Sequence, residues 1–279
     1  MKESITNNHG LPGPLVTAIR NDDYDRGDSD ITVTELIAPP RQVALKRKHA
    51  GEITEDASDR IWSLVGQVGH AILERAGKDA HIVEKRLYAT SKDWKVGGKA
   101  DLYLSEKAII DYKFTTVYAA QDGPKREWTE QLNLLRWLAD KNDIPAEKLQ
   151  IVCIYRDWSK LQAKRDSDYP QSQVQVFPIH RWTDDRLEEF VEQRVAIHQL
   201  AQQHELPFCT QEETWQRPSK WAAMGNGKRA LKLCDSEEEA ANYKGCKRVE
   251  YRPGERVRCE SYCSVAQFCE QFRAWKEME

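Results

Sequence analysis

"VGGKADLYLSEKAIIDYKFTT", residues 96–116, holds two short apolar runs that each carry an aspartate, Asp101 and Asp111. An ionised carboxylate inside a core is costly unless something positive meets it. Side chains alternate between the faces of a strand. In 95–104, Lys99, Asp101 and Tyr103 therefore share one face, and in 108–113, Ile109, Asp111 and Lys113 do. The "SEK" at 105–107 suits a three-residue hairpin loop, a register that sets Leu104 opposite Ala108, Asp101 opposite Asp111 and Lys99 opposite Lys113. Such pairs stand about 4.5–5.5 Å apart, and like charges directly opposite each other destabilise a sheet. A cation between the two acids resolves the conflict. Lys113 supplies one answer, a structural ion pair. A divalent metal supplies the stronger one, because magnesium is held by one or two carboxylates plus phosphate oxygens and keeps several waters. A second Asp-Xaa-Lys, Asp93-Trp94-Lys95, lies in a polar turn without the strand setting or the partner acid.

Working outward, apolar residues at Ile61, Leu64, Val65, Val68, Ile72 and Leu73 predict a helix over 57–76, with Gly66 and Gly69 inside it for close packing. Strand-like runs follow at 81–89, 95–104 and 108–114. A helix is expected at 125–140, with Trp128, Leu132, Leu135 and Leu138 on one stripe. Strands at 149–155 and 172–179 precede a long helix capped by Thr183 and running to about Gln203. Residues 30–37 read as a short strand or the start of a helix, stopped by Pro39 and Pro40. The order predicts a mixed α/β core, a central sheet flanked by helices. Polar residues 1–30 read as a mobile arm, 31–205 as the core and 206–279 as a Cys-rich region packed on it.

The chain has 279 residues, 40% of them hydrophobic, and a formal net charge of −3, so it is not a globally basic nucleic-acid binder. A basic groove can still exist locally, and "RQVALKRKH" (41–49) and "CKRVEYRPGERVRC" (246–259) are basic clusters that otherwise read as solvated surface. No run of 18 apolar residues occurs, so no membrane span is expected. The first residues carry no apolar core of a secretory signal, which points to the cytoplasm. Seven cysteines, an odd number, argue against a disulfide scaffold; five lie after residue 230.

"GGKADLYL…AIIDYK" resembles the core of the PD-(D/E)XK nuclease superfamily, and its Asp-Tyr-Lys version resembles the RecB-like exonuclease branch. "VGQVGHAILE" (65–74) supplies His70 and "WTEQLNLLRW" (128–137) supplies Gln131 at the positions where that branch carries a histidine and a glutamine. The branch often has a tyrosine four residues after the glutamine, where this chain has Leu135. The resemblance covers about residues 60–200. It implies a restriction-endonuclease-like core, with magnesium or manganese held by His70, Asp101, Asp111 and the Tyr112 carbonyl. It also implies that Lys113 positions or activates the attacking water and that Gln131 contacts substrate or holds the site. Glu84 would be an outer acid. Phosphate ester hydrolysis is among the slowest uncatalysed reactions, so a metal site is close to obligatory for it.

"RCESYCSVAQFCEQF" (258–272) places thiols at Cys259, Cys263 and Cys269. Three thiolates need a distant fourth, and Cys209 is the choice, with Cys246 or Cys234 as replacements. Such ligands suit zinc or an iron–sulfur cluster; the bland alternative is free buried cysteines. A subset of RecB-like nucleases is similar, with one distant cysteine and a C-terminal trio holding a [4Fe–4S] cluster, although their usual spacing is two residues where this chain has "ESY". The implied activity is a metal-dependent DNA exonuclease of recombination, repair or phage DNA processing, working with a single-strand annealing or recombination protein. The alternative is a catalytically silent DNA-binding or assembly module of the same fold.

Overall fold

The computed structural model describes residues 4–21, 25–77, 82–83, 85–104, 106–203 and 206–277. In chain order the elements begin with β1 (Ser4–Thr6), α1 (Gly13–Arg20), β2 (Ile31–Thr32), α2 (Val33–Ile37), α3 (Pro40–Lys48), β3 (Thr54–Asp56) and α4 (Ile61–Gly77). Next come β4 (Ile82–Val83), β5 (Arg86–Ser91), β6 (Trp94–Lys99), β7 (Leu102–Leu104), β8 (Ala108–Thr115), α5 (Arg126–Asp140), β9 (Lys148–Tyr155), α6 (Lys160–Arg165), β10 (Val174–Ile179) and α7 (Asp184–Gln202). The chain closes with β11 (Gln216–Arg217), β12 (Lys220–Met224), β13 (Ala230–Cys234), α8 (Glu237–Ala241), β14 (Arg248–Arg252), β15 (Glu255–Arg256), α9 (Val257–Ser261) and α10 (Glu270–Glu277). The fold is mixed α/β. It divides into a core unit, residues 4–38 and 54–205, and a cysteine unit, residues 39–53 and 206–279. The C-terminal boundary falls where the sequence composition changes. Residues 39–53, which the sequence reading places in the core, group with the cysteine unit instead.

In the core unit the main sheet has the order β10-β9-β8-β7-β4, with β8 and β9 parallel and the other neighbours antiparallel. Parallel neighbours need a crossover, and α5 lies within it. This helix is buried over most of its circumference: Leu132, Leu134, Leu135 and Leu138 are almost fully enclosed. Two polar residues fix its position. Asn133 donates to His180 O and accepts from Trp182 N. The buried Arg136 guanidinium meets Asp140 at 2.9 Å, Asp184 at 2.8 Å and Trp182 O at 3.1 Å. Asp184 is held below the usual carboxylate range by its hydrogen bond from Arg136. Thr183 caps α7 by accepting from Arg186 N, as its sequence position implies.

A second sheet has the order β2-β6-β5. Gly98 in β6 has no side chain where one would collide with α5 and α2: a Cβ there would lie 2.6 Å from Leu138 and 2.7 Å from Val33. The sequence reads 95–104 as one strand, but the chain bends at Ala100–Asp101, and β6 and β7 belong to different sheets. Lys99 therefore pairs with Arg86, not with Lys113. The expected hairpin register does hold between β7 and β8, with Leu104 opposite Ala108 and Leu102 opposite Ile110. Lys107, at φ +61°, takes the left-handed position that a three-residue loop requires.

The first 30 residues are not without structure: β1 pairs in parallel with β3, and Val16 and Ile19 of α1 pack with Ile61 and Leu64 of α4. Residues 31–37 form β2 and then α2, closed at its start by a Thr32–Glu35 capping box. On α4 the apolar stripe is only partly buried; Val65, Val68 and Ile72 are exposed. Among the described residues no helix is long and apolar enough to cross a membrane.

The two glycines of α4 differ. A Cβ at Gly69 would stand 2.1 Å from the Phe114 ring, whereas nothing lies within 4 Å of one at Gly66. Gly69→Ala is expected to destabilise the protein by about 1–2 kcal/mol, overpacking outweighing the helix-propensity gain. Gly66→Ala should be neutral or stabilising by up to about 1 kcal/mol. Urea midpoints at unchanged slope check both.

Candidate functional site

The main sheet carries a polar cluster in its middle. Asp111, on β8, is buried at 3% exposure. Its Oδ1 accepts from Gln131 Nε2 on α5 at 3.1 Å, and Gln131 Oε1 in turn accepts from Lys113 Nζ at 2.9 Å. Lys113 Nζ approaches Asp111 Oδ2 to 2.6 Å. These three side chains form a closed triangle, because residues 111 and 113 share one face of β8 and α5 lies across it.

Asp101 enters from the bend before β7. One of its oxygens accepts from the Tyr112 backbone N–H at 2.7 Å, a side chain taking the place of a ladder carbonyl. The other lies 3.3 Å from His70 Nδ1 on α4. The His70 ring packs edge-on to Phe114 at 5.7 Å, the same ring that sits against Gly69. Small size at residue 69 thus sets how closely the histidine approaches the strand.

Burial pushes the Asp111 carboxyl above its usual range; Lys113 and His70 pull it back, and Asp101 raises it further. The effect of Asp101 on Asp111 is the charge conflict expected from the sequence. Asp111 Oδ2 is buried and faces the Lys113 ammonium at 2.6 Å. Two carboxylates and an imidazole nitrogen form a set that suits a hard divalent cation. Among the described residues no three His, Cys, Asp or Glu side chains already stand in metal-holding geometry. Asp101 is turned onto Tyr112 N–H and His70, and Asp111 onto Gln131 and Lys113. Tyr112 contributes its N–H, and burial raises its phenol. Glu84 lies outside the described residues. Leu135, where a tyrosine was looked for, is core.

In the cysteine unit, Cys209, Cys259, Cys263 and Cys269 line one small cavity. Gln271 places Cys209 there across the sequence gap: its side chain accepts from Cys209 N at 2.8 Å and donates to Cys209 O at 2.9 Å. Cys234 and Cys246 belong to a different cluster, with Ala223 and Ala240. Burial pushes the Cys209 thiol up to about 12 and the Cys259 thiol up to about 11, and raises Cys263. With no metal bound, these are neutral thiols at pH 7.

Sequence reasoning missed two residues here. Arg41, read as part of a surface basic cluster, is 4% exposed; its Nε donates to Cys269 Sγ at 3.4 Å and its Nη1 to Leu206 O at 2.9 Å. The signal was available in α3, where Arg41 and Leu45 are four residues apart on one face and Leu45 packs with Val265, Cys269 and Phe272. Gln271 carried no comparable signal.

No family model and no curated protein matches the chain. Among solved structures it is similar to SSO0001, at TM-score 0.47 and 19% identity over 72% of this chain and 87% of that one. It is also similar to a phage related exonuclease from Haemophilus somnus 129PT, at TM-score 0.33 and 18% identity over 50% and 69%. A third is the alkaline exonuclease LHK-Exo from Laribacter hongkongensis, at TM-score 0.39 and 14% identity over 63% and 88%. These values are too low to assign fold or activity, and the functional reading stands on the site itself.

Gln131 satisfies both a buried carboxylate oxygen and the Lys113 ammonium. Gln131→Leu should cost about 1–3 kcal/mol of stability, the penalty of leaving buried polar groups without a partner. Denaturant midpoints measure this.

Proposed function

We infer that the chain is a magnesium- or manganese-dependent DNA exonuclease of the RecB-like PD-(D/E)XK type. The observation that carries this reading is the convergence of Asp101, Asp111, Lys113, Gln131 and His70 in one linked cluster around a buried carboxylate. His70, Asp101, Asp111 and the Tyr112 carbonyl are the groups that would hold the ion. When bound, a divalent ion supplies Lewis acidity, making water available as a nucleophile near neutral pH and offsetting charge on the phosphate. Lys113 directs its ammonium toward the attacking water and the phosphate oxygens. Gln131 keeps Lys113 and Asp111 aligned, and His70 orients Asp101. The bend at Ala100–Asp101 frees the Asp101 side chain from its strand and lets it reach its partners across β8.

The reading extends to the second cluster. Cys209, Cys259, Cys263 and Cys269 are assigned to a [4Fe–4S] cluster, with zinc as the alternative occupant. Four cysteines on one cavity, with the Arg41 guanidinium donating to one sulfur, support an anionic thiolate centre there. Either metal would tie the ends of a chain segment more than fifty residues long, and its binding energy would count as folding energy. The biological setting that fits is recombination, repair or phage DNA processing, next to a single-strand annealing or recombination protein.

With magnesium or manganese, end-labelled linear DNA is expected to be degraded and circular DNA spared, and Asp111→Asn to lower the rate by more than about a hundredfold. Equal cutting of the circle overturns the exonuclease reading. No metal-dependent loss of DNA at all leaves the Asp111–Lys113 pair as a structural one and the protein as a silent binding module. A rise in melting temperature with manganese, absent in Asp111→Asn, reports the metal independently of turnover.

Anaerobically purified protein is expected to be coloured and to contain iron, and Cys259→Ser to lose both the colour and several kcal/mol of stability. A colourless protein with one zinc replaces the cluster by zinc.

A further inference from the structure

The cysteine unit presents an aromatic and basic surface beside the cysteine cavity, which Arg256 also lines. Residues 210–214 form a helical turn in which Thr210 and Glu213 cap each other reciprocally. It ends at Trp215, whose φ of +52° is the left-handed conformation usually left to glycine. Gln216 N donates back to Gln211 O, and the chain then enters β11, paired with β15. The short helix α9 follows β15 directly and is held to the turn by Arg258 N donating to Thr214 O at 3.1 Å. Residues 258 and 262 are four apart, so Arg258 and Tyr262 stand side by side over Trp215. The guanidinium lies 4.2 Å from the indole ring, and the phenol ring meets the indole at 5.4 Å and 63°. These rings are not hidden: Tyr262 is 67% exposed and Trp215 39% exposed.

Immediately beyond Trp215, Gln216 and Arg217 line an open groove with Ser219, Tyr251, Glu255 and Trp275, and Arg217 is paired with Glu255 at 3.0 Å. Tyr251 is 54% exposed, and Arg256 covers Trp275 at 4.8 Å. Between residues 244 and 258 the sequence has six Lys or Arg against two Glu, in a chain whose net charge is −3. Flat exposed rings, guanidinium groups stacked on them, a groove with amide and hydroxyl groups and a local positive charge match one ligand chemistry. Unpaired nucleotides offer π-faces to stack, base edges to hydrogen-bond and phosphates to neutralise. A duplex keeps its bases stacked on each other and cannot use the rings.

We propose that the surface formed by Trp215, Arg258 and Tyr262, continuing into the β11 groove, binds unpaired nucleotides of single-stranded DNA. That the nucleic acid is DNA rests on the exonuclease reading; the binding itself requires no catalysis. Tyr262 stacks a base, Arg258 holds the platform ring and an adjacent phosphate, and the groove takes the following nucleotide.

The test is the fluorescence anisotropy of labelled oligothymidylate and of a labelled duplex, with the full-length protein and no divalent metal. Tyr262→Ala is expected to weaken oligothymidylate binding about fivefold or more and duplex binding less than about twofold, and Tyr262→Phe to restore it. Arg258→Gln should weaken binding and lower the slope of affinity against salt by about one. Unchanged single-strand affinity in Tyr262→Ala, or an equal loss for both DNA forms, overturns the proposal. A protein that binds oligothymidylate through Tyr262 yet degrades no DNA with magnesium or manganese removes the exonuclease reading and leaves this site standing. A protein that degrades DNA but binds it without regard to Tyr262 removes this site alone.

Discussion

Enclosing the Asp111 carboxyl almost completely, where burial raises it, is the constraint around which the core unit is arranged. A carboxylate taken out of water costs several kcal/mol after relaxation, and a nearby second acid adds to that cost. The fold answers with one ammonium two residues along the same strand and one amide from the helix lying across it. The amide has to be placed accurately, which explains why α5 is anchored by more than leucines. Asn133 and Arg136 pin the helix to residues 180–184, so hydrogen bonds distant from Asp111 decide where Gln131 stands.

Much of this was legible in the sequence, for identifiable reasons. Period-two alternation and a three-residue loop fixed the β7–β8 register, because shifting it by one residue would invert every side chain. Helical spacing identified α5 and α7. The break between β6 and β7 was not legible, since "VGGKADLYL" alternates smoothly through it. The bend depends on Asp101 preferring the Tyr112 N–H, a contact made in the tertiary structure. The exposure along α4 was not legible either. A long apolar stripe looks the same in sequence whether or not something covers it.

The cysteine unit shows the same limit. Clustered thiols near the C-terminus are visible in the sequence; the residues that seat them are not. Arg41 sits among basic neighbours that resemble any solvated helix face, yet its guanidinium is enclosed and donates to sulfur. Arg41 opposes, without cancelling, the burial that raises the Cys209 thiol, and the thiolate is the state in which cysteine binds metal. Gln271 does for the Cys209 backbone what Gln131 does for Asp111. In both places a neutral amide, able to donate and accept at once, joins segments distant in sequence.

The division of the chain has a consequence for how the protein is made. The stretch 39–53 leaves the ribosome before the intervening 54–205, and the rest of its unit, 206–279, after it. At 5–20 residues per second the wait is roughly 8–30 s. During that time Leu45 on the apolar side of α3 lacks Val265, Cys269 and Phe272, so the nascent chain passes through a vulnerable interval that ends only when the second part of the unit appears.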